Sequence, residues 1–271
     1  MDLNTITEIG RPRARGDLAP WRDGDAWLAG GTWLFSEPQP GLTRLIDLAG
    51  LGWPPLETGP AGLRIAATCT LSRLAAAEFP PEWRAGPLFG ACCEALLGSF
   101  KIRNAATVGG NLCMALPAGP MAALCVALDG VGVAWTPDGG ERRIPMREFI
   151  HGPQRNALAP GELLRAVALP AAALRRRTAL RKMSLTPLGR SAALLAGTLA
   201  ADGAFGLTVT AATRRPVRLD FPAIPGEAAL RAALAAAIPA ALWYDDLHGA
   251  PAWREHLTHR LALEIREELA A

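Results

Sequence analysis

The sequence has few cysteines, no long apolar run and no block of one charge, and each shortage closes off a class of function. Five cysteines in 271 residues, an odd number with no regular spacing, fit free thiols in a reducing compartment. They form no CxxC pair and no set of four, which excludes a zinc or iron–sulfur site housed in this chain. No apolar stretch approaches the roughly 20 residues that span a bilayer. The opening, MDLNTITEIGRPRARGDLAP, lacks the apolar core of a secretory signal, so the expected location is cytoplasmic with no membrane insertion. Charge of one sign is also missing as a block. The net charge of +3 comes from scattered arginines, and the densest run, Arg175 to Arg177, reads as a solvated loop. A nucleic-acid partner therefore has no footprint. Neither Ser99 nor Ser191 has a GxSxG context or an evident histidine partner, which argues against a serine hydrolase.

What is present is half hydrophobic and one-fifth charged, in a chain long enough for one large or two small domains. The first fifty residues alternate short strands and turns, with LTRLIDLAG a strand. LRIAATCTLSRLAAA reads as a strand entering a helix, with Thr70 or Ser72 as the cap. Leu88 to Leu97 suits a buried helix, and residues 101–120 read as a loop. MAALCVALDGVGVAW is a helix running into a strand, and ERRIPMREF and ELLRAVALP are strand candidates. Beyond Pro170, TALRKMSLTP and GLTVTAATRRPVRLDF read as strands and EAALRAALAAAIPAAL as a helix broken near Pro239. Trp253, Leu257, Leu261, Ile265 and Leu269 recur every fourth residue, the stripe of an amphipathic helix. The pattern is mixed α and β with a boundary near residue 170.

Two stretches share a glycine pair. Leu28 to Phe35 reads LAGGTWLF, and residues 107–111 read TVGGN. Glycine admits positive φ and lets backbone N–H groups converge on one point, a concave nest suited to anionic oxygens. Thr32, Thr107 and Asn111 would add side-chain donors. A Gly-Gly pair is equally the mark of a tight turn, and neither stretch fits GxGxxG or GxxxxGK[ST].

Taken together, AGGT and, some seventy-five residues later, IRNAATVGGN closely resemble the medium, flavin-binding subunit of the molybdenum hydroxylases, a family of xanthine dehydrogenase-like and carbon monoxide dehydrogenase-like enzymes. LRIAATCTLSRLA, GELLRAVALP and the ending from Tyr244 extend the likeness over nearly the whole chain. The resemblance implies an α+β fold of the vanillyl-alcohol-oxidase (PCMH) type: an FAD-binding domain over 1–170, in two subdomains split near 55–60, and a smaller α+β domain over 171–271. It marks Ala29, Gly30, Gly31, Thr32 and Leu34, then Thr107, Gly109, Gly110 and Asn111, as the residues wrapping the FAD pyrophosphate and its neighbours. It also places Lys182 near the flavin ring; an exposed strand residue is the other reading.

Three positions depart from the family. Trp33 stands where a small or acidic residue is common, Pro120 where an aspartate is common, and Thr186 where an arginine is frequent. The resemblance implies an electron-transfer subunit with no catalytic side chain of its own. It would take electrons from [2Fe-2S] clusters in a small partner chain, fed by a molybdenum cofactor in a large one, and pass them through FAD to NAD, oxygen or another acceptor, in a dimer of heterotrimers. An FAD-free structural or assembly subunit, and a free-standing flavin oxidase, are the alternatives. Elsewhere, His256 and His259 form a possible metal pair with nothing to complete it, and Asp245 and Asp246 precede a turn and read as caps.

Overall fold

The computed structural model describes residues 3–271, and three β-sheets laid out in chain order organise it. The first is parallel: β1 (Glu8–Gly10) and β2 (Asp25–Leu28) flank β3 (Arg44–Asp47), with Leu28 opposite Asp47 at the open end. Asp25 and Arg44 face each other on paired strands, both buried, and close a charge pair in which the Arg44 Nε donates to Asp25 at 2.8 Å.

The second sheet is antiparallel, with strand order β4-β5-β10-β6-β7. β4 (Leu56–Gly59) turns directly into β5 (Gly62–Ala66). The chain then builds a helical layer before rejoining the sheet. α1 (Leu71–Ala75) is capped by Thr70, whose hydroxyl accepts from the Arg73 N–H, and α2 (Gly86–Ala95) buries Leu88, Phe89, Cys92 and Cys93. α3 (Phe100–Ala105), α4 (Val108–Met114) and α5 (Pro120–Ala127) follow, so the stretch expected as a loop is mostly helical. The reason is capping. Ser99 accepts from the Ile102 N–H and Thr107 from the Gly110 N–H, which offsets the low helix propensity of the glycines. β6 (Val131–Trp135) and β7 (Glu141–Pro145) come next, then the one-turn α6 (Met146–Phe149), which takes the second half of the strand expected over ERRIPMREF. Its side chains Met146 and Phe149 are buried, and they recur at helical rather than alternating spacing. A small hairpin, β8 (Ile150–Gly152) and β9 (Arg155–Asn156), leads into the central strand β10 (Leu163–Pro170).

The third sheet follows α7 (Ala171–Leu174) and is a four-stranded antiparallel meander: β11 (Arg177–Met183), β12 (Ala193–Leu199), β13 (Phe205–Thr210) and β14 (Val217–Phe221). β12 carries no strand signature in the sequence because its six leading residues are all buried and show no alternation. α8 (Glu227–Ala237) and α9 (Pro251–Ala270) complete the chain, and Leu257, Leu261, Ile265 and Leu269 of the stripe pack on this sheet. No helix among the described residues is long and apolar enough to cross a membrane. α5 sits between the sheets with all eight residues buried. Its Ala123 meets Leu194 and Ala211 of the meander side, and its last carbonyl, on Ala127, accepts from Arg218 at 3.3 Å.

Candidate functional site

The first glycine stretch leaves β2 at its open end. The Asp25–Arg44 pair braces that strand, and the Trp27 indole N–H donates to the Glu162 carbonyl at 3.0 Å, tying it to the second sheet. Beyond Leu28 the backbone turns. Gly31 has φ +68°, and the Phe35 N–H closes back on the Gly31 carbonyl at 2.8 Å. Gly30 lies so close to the second glycine stretch that a Cβ there would stand 1.9 Å from the Ala105 carbonyl oxygen. A side chain is excluded by backbone, which cannot move aside. Among the described residues, the N–H groups of Gly30, Gly31, Thr32, Trp33 and Leu34 donate to no protein acceptor. A row of free donors at a glycine turn is an arrangement suited to an anion.

The second glycine stretch is built differently. Thr107 is the N-cap of α4, and its hydroxyl accepts from the Gly110 N–H at 3.0 Å. The Val108 N–H donates to Cys69 O at 2.9 Å, that of Gly109 to Ala67 O at 2.8 Å and that of Asn111 to Thr107 O at 2.9 Å. Every backbone donor from Val108 to Asn111 is engaged inside the protein, so this stretch is a helix start and not the nest its sequence suggests. Gly109 serves packing: a Cβ would lie 2.4 Å from Ala67 Cβ and 2.8 Å from its backbone. Gly110 has only the Thr107 hydroxyl near its missing Cβ, at 3.0 Å, and its bare face opens outward. The Asn111 Oδ1 accepts from the Met121 N–H at 3.0 Å and so caps α5, whose first residue is Pro120. The position lacking a carboxylate is thus a helix start, with Pro120 buried at N1.

Two cavities meet at these stretches and share Trp27, Ala29, Gly110 and Cys113. One, of about 490 Å³, runs under Trp21, Trp27 and the 158–164 segment, with Gly109 on its floor. Its wall is pinned by Glu162, which holds Arg142 and accepts from the Ala159 N–H, and by Asn156, which donates to Cys113 O at 2.7 Å. The Arg142 guanidinium keeps the Glu162 carboxyl below the usual carboxylate range. The other cavity, of about 450 Å³, is lined by Ala29 through Leu34, Thr107, Gly110 and Asn111, with Leu97, Ile102, Leu116 and Arg190 farther along. Burial pushes the Cys113 thiol up to about 12, so the cysteine shared by both cavities is a thiol and not a nucleophilic thiolate at neutral pH.

Nine of the ten expected cofactor-binding residues therefore border these joined cavities: Ala29, Gly30, Gly31, Thr32, Leu34, Thr107, Gly109, Gly110 and Asn111. Lys182 does not. It lies with Met183 to Pro187, Thr186 included, along a separate open groove. Trp33 lines the second cavity. Sequence reasoning missed Trp21, Trp27, Glu162 and Arg190; only Trp27, two residues before the first glycine stretch, carried a signal in its position. Asp246 caps its turn, accepting from the His248 N–H, and no cluster of three metal-ligating side chains exists among the described residues.

Known proteins share both sequence and fold with this chain. The family described as the FAD binding domain in molybdopterin dehydrogenase matches residues 21–172. The FAD-binding subunit of aldehyde oxidoreductase from Escherichia coli (strain K12) is 30% identical in a match covering 63% of this chain and 69% of that protein. Subunit beta of caffeine dehydrogenase from Pseudomonas sp. (strain CBB1) is 39% identical over 71 residues, 24% of its length. Among solved structures, a carbon monoxide dehydrogenase chain from Oligotropha carboxidovorans superposes with a TM-score of 0.84 at 21% identity, covering 98% of both chains. A chain of quinoline 2-oxidoreductase from Pseudomonas putida 86 gives 0.79 at 18% identity over the whole of both. At such identities these two likenesses speak for the fold.

Proposed function

The chain belongs to the family of FAD binding domains in molybdopterin dehydrogenases, and from that premise we propose that it is the flavin-bearing, electron-transferring subunit of a multi-subunit molybdenum hydroxylase. Membership makes it a flavoprotein subunit of an oxidoreductase. The observation that carries the site assignment is the row of unengaged N–H groups from Gly30 to Leu34 lying against a second glycine face at Gly110.

The residues present fit FAD. A pyrophosphate needs several N–H partners and close backbone approach; the first stretch offers free donors, and Gly30 and Gly110 present no side chain to block it. In this reading Ala29 to Thr32 and Leu34 bind the pyrophosphate through backbone donors. Thr107, whose oxygen accepts from Gly110, keeps its hydroxyl hydrogen to donate, and Asn111 keeps its amide NH₂. Residues 1–170 then form the FAD domain, and 171–271 a buttress behind the second cavity.

When bound, FAD accepts an electron pair from one redox partner and delivers it to another. The chain's own contribution is to orient the cofactor, exclude water with apolar walls and set the charge around it. No side chain need act as nucleophile or base, consistent with the high thiol pKa of Cys113. The electrons would arrive from [2Fe-2S] clusters in a small chain, fed by a molybdenum cofactor in a large chain, and leave to NAD, oxygen or another acceptor. The test is to purify the chain with its partners, record the visible spectrum and identify the released flavin chromatographically. One FAD per copy is expected. A folded complex that retains molybdenum and iron but no FAD overturns the reading.

A further inference from the structure

We propose that Arg64 and Arg165, on the outer face of the second sheet, form a binding site for a phosphate-class oxyanion. The other face of that sheet packs on the helical layer, and Leu63, Ile65 and Ala134 belong to that core. Strand alternation turns their neighbours Arg64 on β5 and Trp135 on β6 to the outer face. Arg165 joins them through a bulge: β10 shifts register between Leu164 and Ala166, and Arg165 is the extra residue. Its guanidinium carbon stacks 4.3 Å from the Trp53 ring centroid and 6.0 Å from that of Trp135.

Arg44, Arg165 and Arg254 are the buried arginines among the described residues, and two of them are fully engaged. Arg44 bonds Asp25 and the Pro20 carbonyl; Arg254 bonds the carbonyls of Ala192, Ala211 and Gly249 and the Asp246 carboxylate. Arg165 is 8% exposed and makes no hydrogen bond among the described residues, and its Nη1 is buried without an acceptor. Its ion-pair partner, the half-exposed Glu57, stands 3.7 Å from Nη2, too far to accept a hydrogen bond. The neighbouring Arg64 has no ion pair or hydrogen bond among the described residues either, and its Nε is buried and unpartnered. Burial first, and then the Arg64 charge, push the Arg165 guanidinium below its ordinary basicity. Buried donors without acceptors are costly and rare, and like charges side by side add repulsion. An anion carrying two negative charges relieves both costs at once.

The shape of the site selects the anion. Arg64 lies opposite Ala168 on β10, and Ala66 opposite Ala166, so beside the two arginines these strands carry only methyl groups. With the Trp53 indole over its face, the Arg165 guanidinium is left its edge, where N–H groups lie paired in one plane. Arg64 presents a second such fork from the adjacent strand, about 4.8 Å away across the sheet. A tetrahedral dianion offers separate oxygens to the two forks and matches their two positive charges. A single carboxylate matches one, and Glu57, with Glu141 the other carboxylate acting on Arg165, leaves the donors unpaired. Neither arginine lines the joined cavities, so the assignment stands apart from the FAD reading.

The test uses the full chain in wild type, R64Q, R165Q, R165K, E57Q and G110A. Inorganic phosphate is the probe and chloride at equal ionic strength the control, with binding read by calorimetry and by melting temperature. Wild type should bind phosphate with a Kd of about 1 mM or tighter. R64Q and R165Q should each weaken binding about tenfold, and R165K by less, because it keeps the charge and loses the fork. E57Q should tighten binding about threefold, since a competing negative charge is gone. Stability separates a ligand site from a structural contact: without phosphate, R64Q should melt above wild type, and it should lose the phosphate-dependent rise. G110A should keep that rise, because the glycine stretches take no part in it. Phosphate binding that R64Q and R165K leave unchanged overturns the site, as does a wild-type response no larger than that to chloride. Loss of the response in G110A moves the anion to the glycine stretches and also overturns it. So does an R64Q chain that melts below wild type without phosphate, because Arg64 would then be a structural contact.

Discussion

The two glycine pairs, spelled alike and touching at Gly30 and Ala105, are used in opposite ways. The first leaves its N–H groups free and hangs from a strand braced by a charge pair; the second has its donors engaged by Cys69, Ala67 and Thr107 and begins a helix. Neighbouring chemistry decides the difference. A threonine cap and two strand-end carbonyls turn the second pair inward, and where no acceptor is offered the first pair stays open. A glycine pair thus reports close approach, and only the surrounding acceptors tell what approaches.

The bracing is where this contrast breaks most easily. Asp25→Asn leaves the buried Arg44 with only the half-exposed Glu8 carboxylate, 3.6 Å away, as countercharge and should lower unfolding free energy by about 3 kcal/mol, seen as a fall in the urea midpoint. Acid should produce the same loss. The Arg44 guanidinium holds the Asp25 carboxyl below its ordinary value, so this stabilisation is complete above about pH 4 and disappears as pH falls through the lowered value. Hydrogen exchange followed against pH should show β2 and β3 loosening while the N–H groups of Val108 and Gly109 stay protected. Equal loosening of both would remove the contrast.

Next in size are the two close approaches. Gly30→Ala and Gly109→Ala each force a methyl against backbone and should each cost about 2 kcal/mol. Their consequences diverge: Gly109→Ala lowers the melting temperature with or without FAD, whereas Gly30→Ala also displaces the free donors and should abolish FAD retention. Thr107→Ala removes a helix cap, about 1 kcal/mol, and Thr107→Ser should restore it. The smallest effect on folding belongs to Gly110→Ala. The added methyl meets only the Thr107 hydroxyl and otherwise fills the cavity, so thermal stability should hold while FAD affinity falls about tenfold. Normal FAD binding by the Gly110→Ala variant would remove Gly110 from the binding face.

Much of this arrangement was legible in the sequence. The strand at Arg44–Asp47, the Thr70-capped helix, the buried α2 and the stripe on α9 follow from periodicity and capping, and the paired glycines marked the place where the cavities meet. What escaped had physical causes. α4 was hidden because glycine propensity argues against helix, and the compensating carbonyls of Ala67 and Cys69 lie some forty residues away in sequence. β12 was hidden because burial on both faces erases alternation. Arg190 was hidden because nothing local distinguishes it from the chain's other arginines; only the return of the chain between β11 and β12 brings it to the cavity. Lys182, chosen by its neighbours in sequence, lies outside that cavity.

One consequence of α5 concerns modularity. The stretch shared with the family ends at residue 172, yet this helix, apolar on every side, is dry only because the meander beyond that point lies over it. A chain cut there would wet Ala123 and its neighbours and should collect in the insoluble fraction, unlike the intact protein. An exchange of this module has therefore to carry the glycine stretches and the sheet behind them together: the segment that the family match delimits is not the segment expected to stay in solution alone.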